Sequence, residues 1–213
     1  MNFNKFKESI VKIENLPLPG QDSQFKMSPP FREALIKLQA EKIKRARKSA
    51  VMALFYPNLD NETELMLILR KTYKGVHSAQ VGFPGGKLEA NETTKEAALR
   101  ETEEEIGVDA SSITVLKKLT EVYIPPSNFH VQPYIGIVKN TPIFTKQDTE
   151  VEDLLEVKLT HFLDENNITE KEVTTYNGLK VNVPAYNLNS HLVWGATAMM
   201  LSEVKDLLNC AIK

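Results

Sequence analysis

A chain of 213 residues with 42% hydrophobic residues, 25% charged residues and a formal net charge of −2 has the make-up of a folded globular protein. It is long enough to bury a sizeable core. The near-balance of charge argues against a dedicated nucleic-acid binder, and a single cysteine, Cys210, excludes an internal disulfide and a cysteine-rich zinc site.

The first residues, 1–14, mix Phe, Lys and Asn without the apolar core of a secretory signal. Phe3, Phe6, Ile10 and Ile13 instead recur at helical spacing, which predicts a peripheral helix ended by the prolines at 17 and 19. A second helix is expected after Pro29 and Pro30, with Phe31, Leu35, Leu38 and Ile43 on its inner face. Its basic end, Lys42 to Lys48, reads first as a solvated face near a helix C-terminus and second as a phosphate-facing patch. Strands are expected over residues 50–56, 64–70 and 80–83. A helix follows over 94–106, then strands near 113–122, 131–139, 154–159, 172–176 and 180–186, and a last helix over 195–211 in which Cys210 packs. The longest apolar run, 50–56, is far short of the roughly 20 residues of a membrane span. A cytoplasmic protein with no membrane partner and no nucleic-acid partner is expected. The irregular alternation of strands and helices points to an α/β protein with a mixed sheet between helices.

The helix at 94–106 is well bounded by local chemistry. Thr93 and Glu96 have the spacing of a capping box, and Gly107 stands where a C-terminal glycine belongs. Its charges are badly placed for stability. Glu101, Glu103, Glu104 and Glu105 crowd the last two turns, against the helix dipole. Glu101 repels Glu104 and Glu105 at i,i+3 and i,i+4, at a cost of about 0.2–0.5 kcal/mol per pair. Local rule-breaking of this kind tends to mark functional sites. A hard divalent cation is the simplest compensator, because Mg²⁺ takes oxygen ligands and shares its shell with phosphates. An ordinary exposed acidic face is the alternative. Just upstream, Phe83-Pro84-Gly85-Gly86 forms a turn that permits close backbone approach.

Together Gly86, Glu92, Arg100, Glu101, Glu104, Glu105, Gly107 and Val108 resemble the Nudix box, G-x5-E-x7-R-E-U-x-E-E-x-G-U. Thr102 stands at the first aliphatic position, where its methyl can still pack. The resemblance implies an α/β/α sandwich for the hydrolase domain over 50–213, while residues 1–49, which carry little of the likeness, are expected from their helical spacing to form an N-terminal helical extension packing on it. It implies Glu101, Glu104 and Glu105 as ligands of Mg²⁺ or Mn²⁺. It implies Glu104, Glu105 and Arg100 as the catalytic set, with Arg100 bracing the loop through Glu92. Gly107 would be structural like Glu92, and Gly85 or Gly86 could offer a carbonyl to the metal. The general base could be Glu104, Glu105, Glu150 or Glu152.

Segments outside the box are similar to the coenzyme A pyrophosphatase branch, whose upstream signature ends in H-x-G-Q-V-x-F-P-G-G. Here that stretch runs from His77 to Gly86, with Ala79 in place of the usual glycine. Residues 133–136 and 193–198 add to the likeness. The resemblance implies hydrolysis of coenzyme A or its acyl forms to 3′,5′-ADP and 4′-phosphopantetheine. Arg70, His77, Gln80, Gly85 and Gly86 would meet the substrate. Bland readings stand beside these: a turn-capping His77, an exposed Gln80, an Arg70 paired to an acid, and a Trp194 in the core. A Nudix enzyme for ADP-ribose, a dinucleotide or a nucleoside triphosphate is the alternative, and a non-catalytic nucleotide sensor is a third reading. A homodimer is an expectation from the family alone.

Overall fold

A computed structural model describes all residues except 31, 73–78, 175–177, 179 and 213. The chain opens with α1 (Phe3–Ile10), a 3₁₀ turn (Val11–Asn15), α2 (Gly20–Phe25) and the short helices α3 (Arg32–Leu38) and α4 (Ala40–Ile43). Strands β1 (Arg47–Pro57), β2 (Thr63–Arg70), β3 (Val81–Gly82) and β4 (Gly85–Lys87) lead into α5 (Thr94–Ile106). Then come β5 (Thr114–Lys118), β6 (Val122–Ile124), β7 (Phe129–Ile137), β8 (Val151–Lys158) and α6 (Leu159–Leu163). A hairpin-rich end follows: β9 (Ile168–Thr174), β10 (Lys180–Leu188), β11 (His191–Trp194) and α7 (Gly195–Ile212).

The architecture is the α/β sandwich with a mixed sheet that the sequence led us to expect. Among the described residues, strands β1 to β8 form one sheet with β1 and β7 parallel at its centre and the other pairings antiparallel. β9, β10 and β11 form a separate antiparallel sheet. The continuous apolar run of β1 has a direct cause, since the strand is buried on both faces. Val51, Ala53 and Phe55 point into one core with α1 and α7, while Ala50, Met52, Leu54 and Tyr56 point into another with α5. Leu65 and Leu67 of β2 alternate with Met66 and Ile68 in the same way. No helix among the described residues is long and apolar enough to cross a membrane.

The N-terminal extension is not peripheral. Phe3, Phe6, Ile10 and Ile13 are all buried in the core shared with β1 and α7, so helical spacing here marks a core face. A polar network pins α2 to α7. Gln24 Nε2 donates to Glu203 Oε2 at 2.8 Å and to the Thr120 carbonyl at 3.0 Å, and the Thr120 N–H donates to Glu203 Oε1 at 3.2 Å. The second expected helix is also different. It breaks into α3 and α4, neither of which buries a residue. Leu35 and Leu38 are exposed and Ile43 is only partly buried, so these three form no buried inner face, and Phe31 lies outside the described residues. The expected strand over 113–122 is interrupted between β5 and β6. Cys210 is exposed on α7 rather than packed.

Glu203 is fully buried, so it depends on these few donors. Gln24→Leu removes one of them and leaves the carboxylate short of a partner, a loss of about 2–3 kcal/mol. The exposed Lys26–Asp206 pair is expected to matter less, with Lys26→Ala costing under about 1 kcal/mol. Urea unfolding of both variants checks the ranking.

Candidate active site

The helix that carries the acids is fixed at both ends as the sequence indicates. The Thr93 N–H donates to Glu96 Oε2 at 2.8 Å, and the Glu96 N–H donates to Thr93 Oγ1 at 3.2 Å. Gly107 adopts φ +74° and closes the helix with its N–H on the Glu103 carbonyl. The free carbonyls of the last turn are capped from outside. Thr145 N–H donates to Ile106 O at 3.0 Å, and Gln147 N–H to Glu105 O at 3.1 Å. Thr102 is buried with its hydroxyl on the Ala98 carbonyl, which leaves its methyl for packing.

The loop before the helix lies directly under the acids. Gly85 has φ +148°, and a Cβ there would sit 2.3 Å from the Ala50 carbonyl oxygen. A Cβ at Gly86 would collide with the Glu101 carboxylate at 2.3 Å. Only glycine lets this backbone pass so close to both strand and acid.

The three candidate ligands stand in different surroundings. The Glu104 side chain is 50% exposed, Glu101 15% and Glu105 1%. Arg100 ties the group together. Its Nε and Nη2 meet the two oxygens of Glu92 at 2.8 and 3.1 Å, and its Nη1 meets Glu101 at 3.1 Å and Glu104 at 3.0 Å. Nη2 also donates to the Lys87 carbonyl. Hydrogen bonding to Glu92 holds the guanidinium pKa above its ordinary value, and Arg100 in turn holds Glu92 low. Glu101 is pushed up chiefly by burial, with Arg100 opposing.

Glu105 is gripped by the loop itself. It accepts from the Gly85 N–H at 2.7 Å, and its Oε1 faces Arg70 Nη1 at 3.3 Å without hydrogen-bond geometry. Arg70 Nη2 donates to the Gly85 carbonyl at 2.6 Å. Burial pushes the Glu105 carboxyl up to about 7, against the pull of Arg70 and the Gly85 N–H. Arg70 therefore pairs with an acid, though one from α5 rather than from a neighbouring strand.

Among the described residues, no three acidic or histidine side chains already converge at metal-ligating distances. Arg100 Nη1 bridges Glu101 and Glu104, while Glu105 is turned to the Gly85 N–H and Arg70. The donors themselves fit Mg²⁺ or Mn²⁺. They are carboxylate and carbonyl oxygens only, and one buried carboxylate oxygen lacks a hydrogen bond.

Other expected residues fall as follows. Gln80 lines a cleft beside the loop, and its carbonyl accepts from the Arg70 N–H at 3.0 Å. His77 lies outside the described residues. Trp194 is half-buried and lines the same cleft, with Lys171 Nζ 5.2 Å from its ring centroid, so it is not a core residue. Tyr134 lies on the far face of the sheet, against Thr94 of α5. Of the acids outside the box, Glu150 raises the pKa of both Glu101 and Glu105 by its charge. The Lys42–Lys48 stretch is solvated: Lys44 pairs with Glu41, and Arg47 stacks on Phe129.

The cleft has a volume of about 400 Å³. Gly85, Gly86 and Arg70 stand at one side of it, and Val51, Phe129, Val131 and Met199 supply apolar wall. Sequence reasoning missed Arg32, which also lines it. Its place in the fold depends on the path of α3, and local periodicity holds no trace of that.

Comparison with known proteins decides the family. A sequence model of the NUDIX domain matches residues 47–176. The chain belongs to the Nudix family. It is 31% identical over 156 residues to the uncharacterized Nudix hydrolase NudL of Yersinia enterocolitica, covering 70% of this chain and 75% of that one. It is 26% identical over 181 residues to Nudix hydrolase 3 of Caenorhabditis elegans, covering 76% and 74%. Among solved structures, a Nudix hydrolase from M. smegmatis, RenU, matches with a TM-score of 0.54 at 15% identity, over 78% of this chain and 87% of that one. This Nudix hydrolase acts on the pyrophosphate bond of a nucleoside diphosphate derivative.

Ala79 stands where the signature has glycine, and it adopts φ +53°. The backbone thus keeps a left-handed shape that costs an L-residue about 1–2 kcal/mol. Ala79→Gly is expected to raise stability by about 1 kcal/mol without loss of turnover, as thermal unfolding and a hydrolysis assay will show.

Proposed function

We propose that this Nudix hydrolase cleaves the diphosphate of coenzyme A or its acyl derivatives, releasing 3′,5′-ADP and the corresponding 4′-phosphopantetheine. One observation carries the reading. Two stretches that resemble the coenzyme A branch, over 100 residues apart, meet in the cleft beside the box loop. Gln80, Val81 and Phe83 come from one, and Trp194, Ala196 and Thr197 from the other. Thr197 Oγ1 donates to the Val81 carbonyl at 3.0 Å and joins them.

The chain's residues divide the work. Glu101, Glu104 and Glu105, with a carbonyl of Gly85 or Gly86, would hold Mg²⁺ or Mn²⁺. Such a cation, when bound, neutralises phosphate charge and lowers the pKa of water. Arg100 keeps Glu101 and Glu104 aimed at one place while Glu92 anchors it. Arg70, at the edge of the cleft, offers its guanidinium to a phosphate oxygen. Glu150 is exposed, and its carbonyl accepts from the Lys71 N–H at 2.9 Å, next to Arg70 at the end of β2, so we take it as the general base. It takes a proton from the attacking water as the water oxygen bonds to phosphorus. The bridging P–O bond breaks, and the leaving phosphate carries the electron pair. Positioning and electrostatics of this kind dominate phosphoryl transfer. We take the cytoplasm as its setting and a homodimer as its assembly, both from the family likeness.

A panel of coenzyme A, ADP-ribose, NADH and a nucleoside triphosphate with Mg²⁺ or Mn²⁺, read by mass spectrometry, tests the substrate. Coenzyme A is expected to be cut fastest, to 3′,5′-ADP. Cleavage of ADP-ribose with coenzyme A untouched contradicts the proposal. On the preferred substrate, Glu150→Gln is expected to lower kcat by about 10²–10⁴-fold, and an unchanged kcat removes Glu150 as the base.

A further inference from the structure

Two arginines in the cleft are provided for in opposite ways. Arg70 faces Glu105. Arg32, at the start of α3, donates through Nη2 to the backbone carbonyl of Tyr123, a neutral partner. Among the described residues no carboxylate stands within ion-pair distance of it. Its Nε is shielded from solvent and has no hydrogen-bond partner. Burial lowers its pKa below the ordinary value. A guanidinium withdrawn from water without a counter-charge is unfavourable, and buried charges are ordinarily paired. Among the described residues, the partly buried Arg32 guanidinium therefore has a backbone carbonyl for a partner and no acid to balance its charge.

The sheet sets how far this charge is from the box loop. β4, which holds Gly85 and Gly86, pairs with β1. β1 pairs with β7, and β7 pairs with β6, which holds Tyr123. Three strand spacings separate the two backbones, and Tyr123 is level with His130 whereas Gly86 is level with Gln132, two residues along, so they stand about 16 Å apart. That gap accommodates one phosphate at the loop, another at Arg32 and a ribose between them. The wall between them carries Val51, Phe129 and Val131, which suits the flat apolar face of a purine.

We propose that Arg32 recognises a second phosphate of the substrate, a monoester on the ribose of the nucleotide half, and so selects 3′-phosphorylated substrates. A guanidinium matches phosphate oxygens in a forked geometry that lysine cannot reproduce. This rests on the coenzyme A reading, because that substrate carries a 3′-phosphate beside its diphosphate. It also assigns a task to residues 1–49, which supply the arginine.

Calorimetric binding of 3′,5′-ADP, 2′,5′-ADP and 5′-AMP in Mg²⁺ tests it without turnover. The wild type is expected to bind 3′,5′-ADP about 10- to 100-fold more tightly than 5′-AMP, the contribution of charge-assisted hydrogen bonds to one phosphate. Arg32→Gln loses that preference while its affinity for 5′-AMP is unchanged, and Arg32→Lys keeps part of it. Equal affinities in the wild type, equal losses for all three nucleotides, or a preference for 2′,5′-ADP overturns the assignment. Hydrolysis of coenzyme A is scored separately. An enzyme that cuts coenzyme A but binds 3′,5′-ADP and 5′-AMP alike keeps its proposed substrate and loses this role for Arg32. One that ignores coenzyme A yet shows the Arg32-dependent preference does the reverse.

Discussion

The acids at the C-terminal end of α5 are the constraint around which the site is built. Glu101, Glu104 and Glu105 stand where the helix dipole repels them, and each repels its neighbours. Arg100 spans Glu92, Glu101 and Glu104, and Arg70 with the Gly85 N–H holds Glu105. The loop can lie so close only because Gly85 and Gly86 have no side chain. Residues 145–147 close the helix's last carbonyls, so no cationic side chain is needed there. Each support stabilises the acids without neutralising all of them. Glu104 remains half exposed, and Glu105 keeps a buried oxygen without a hydrogen bond.

Much of this was legible in the sequence because its causes are local. The bounds of α5 follow from Thr93, Glu96 and Gly107, and its charge pattern alone marks it as unusual. The two-faced burial of β1 follows from its unbroken apolar run. What was not legible depends on distant packing. Helical spacing in Phe3, Phe6, Ile10 and Ile13 identifies an apolar face, but not that the face enters the main core against Phe55. The same pattern in Leu35 and Leu38 suggests burial, and both are exposed. Periodicity describes what a helix could bury, whereas the rest of the fold decides whether anything comes to cover it. The partners of Arg70 and Arg32 belong to the same class, since each depends on segments brought together by the sheet.

The cleft beside the box loop is assembled from distant pieces of the chain. The box loop contributes Gly85 and Gly86, the end of β2 contributes Arg70, and the start of α7 contributes Ala196 and Thr197. The N-terminal extension adds Pro29 and Arg32. The extension therefore completes the core through α1, is pinned to α7 through Gln24, and reaches the cleft through the residues that follow. Scaffold and cleft lining are thus coupled in one segment that precedes the matched domain.

Titration with Mn²⁺ by electron paramagnetic resonance, comparing wild type with Glu101→Gln, tests most directly whether these acids are held for a cation. The variant is expected to bind Mn²⁺ at least about 10-fold more weakly, the scale of one charge-assisted contact. In chelator its thermal stability should match or exceed the wild type's, because one repelling charge has left the end of the helix. Unchanged Mn²⁺ affinity, with Glu101 removed as a carboxylate, would contradict the account.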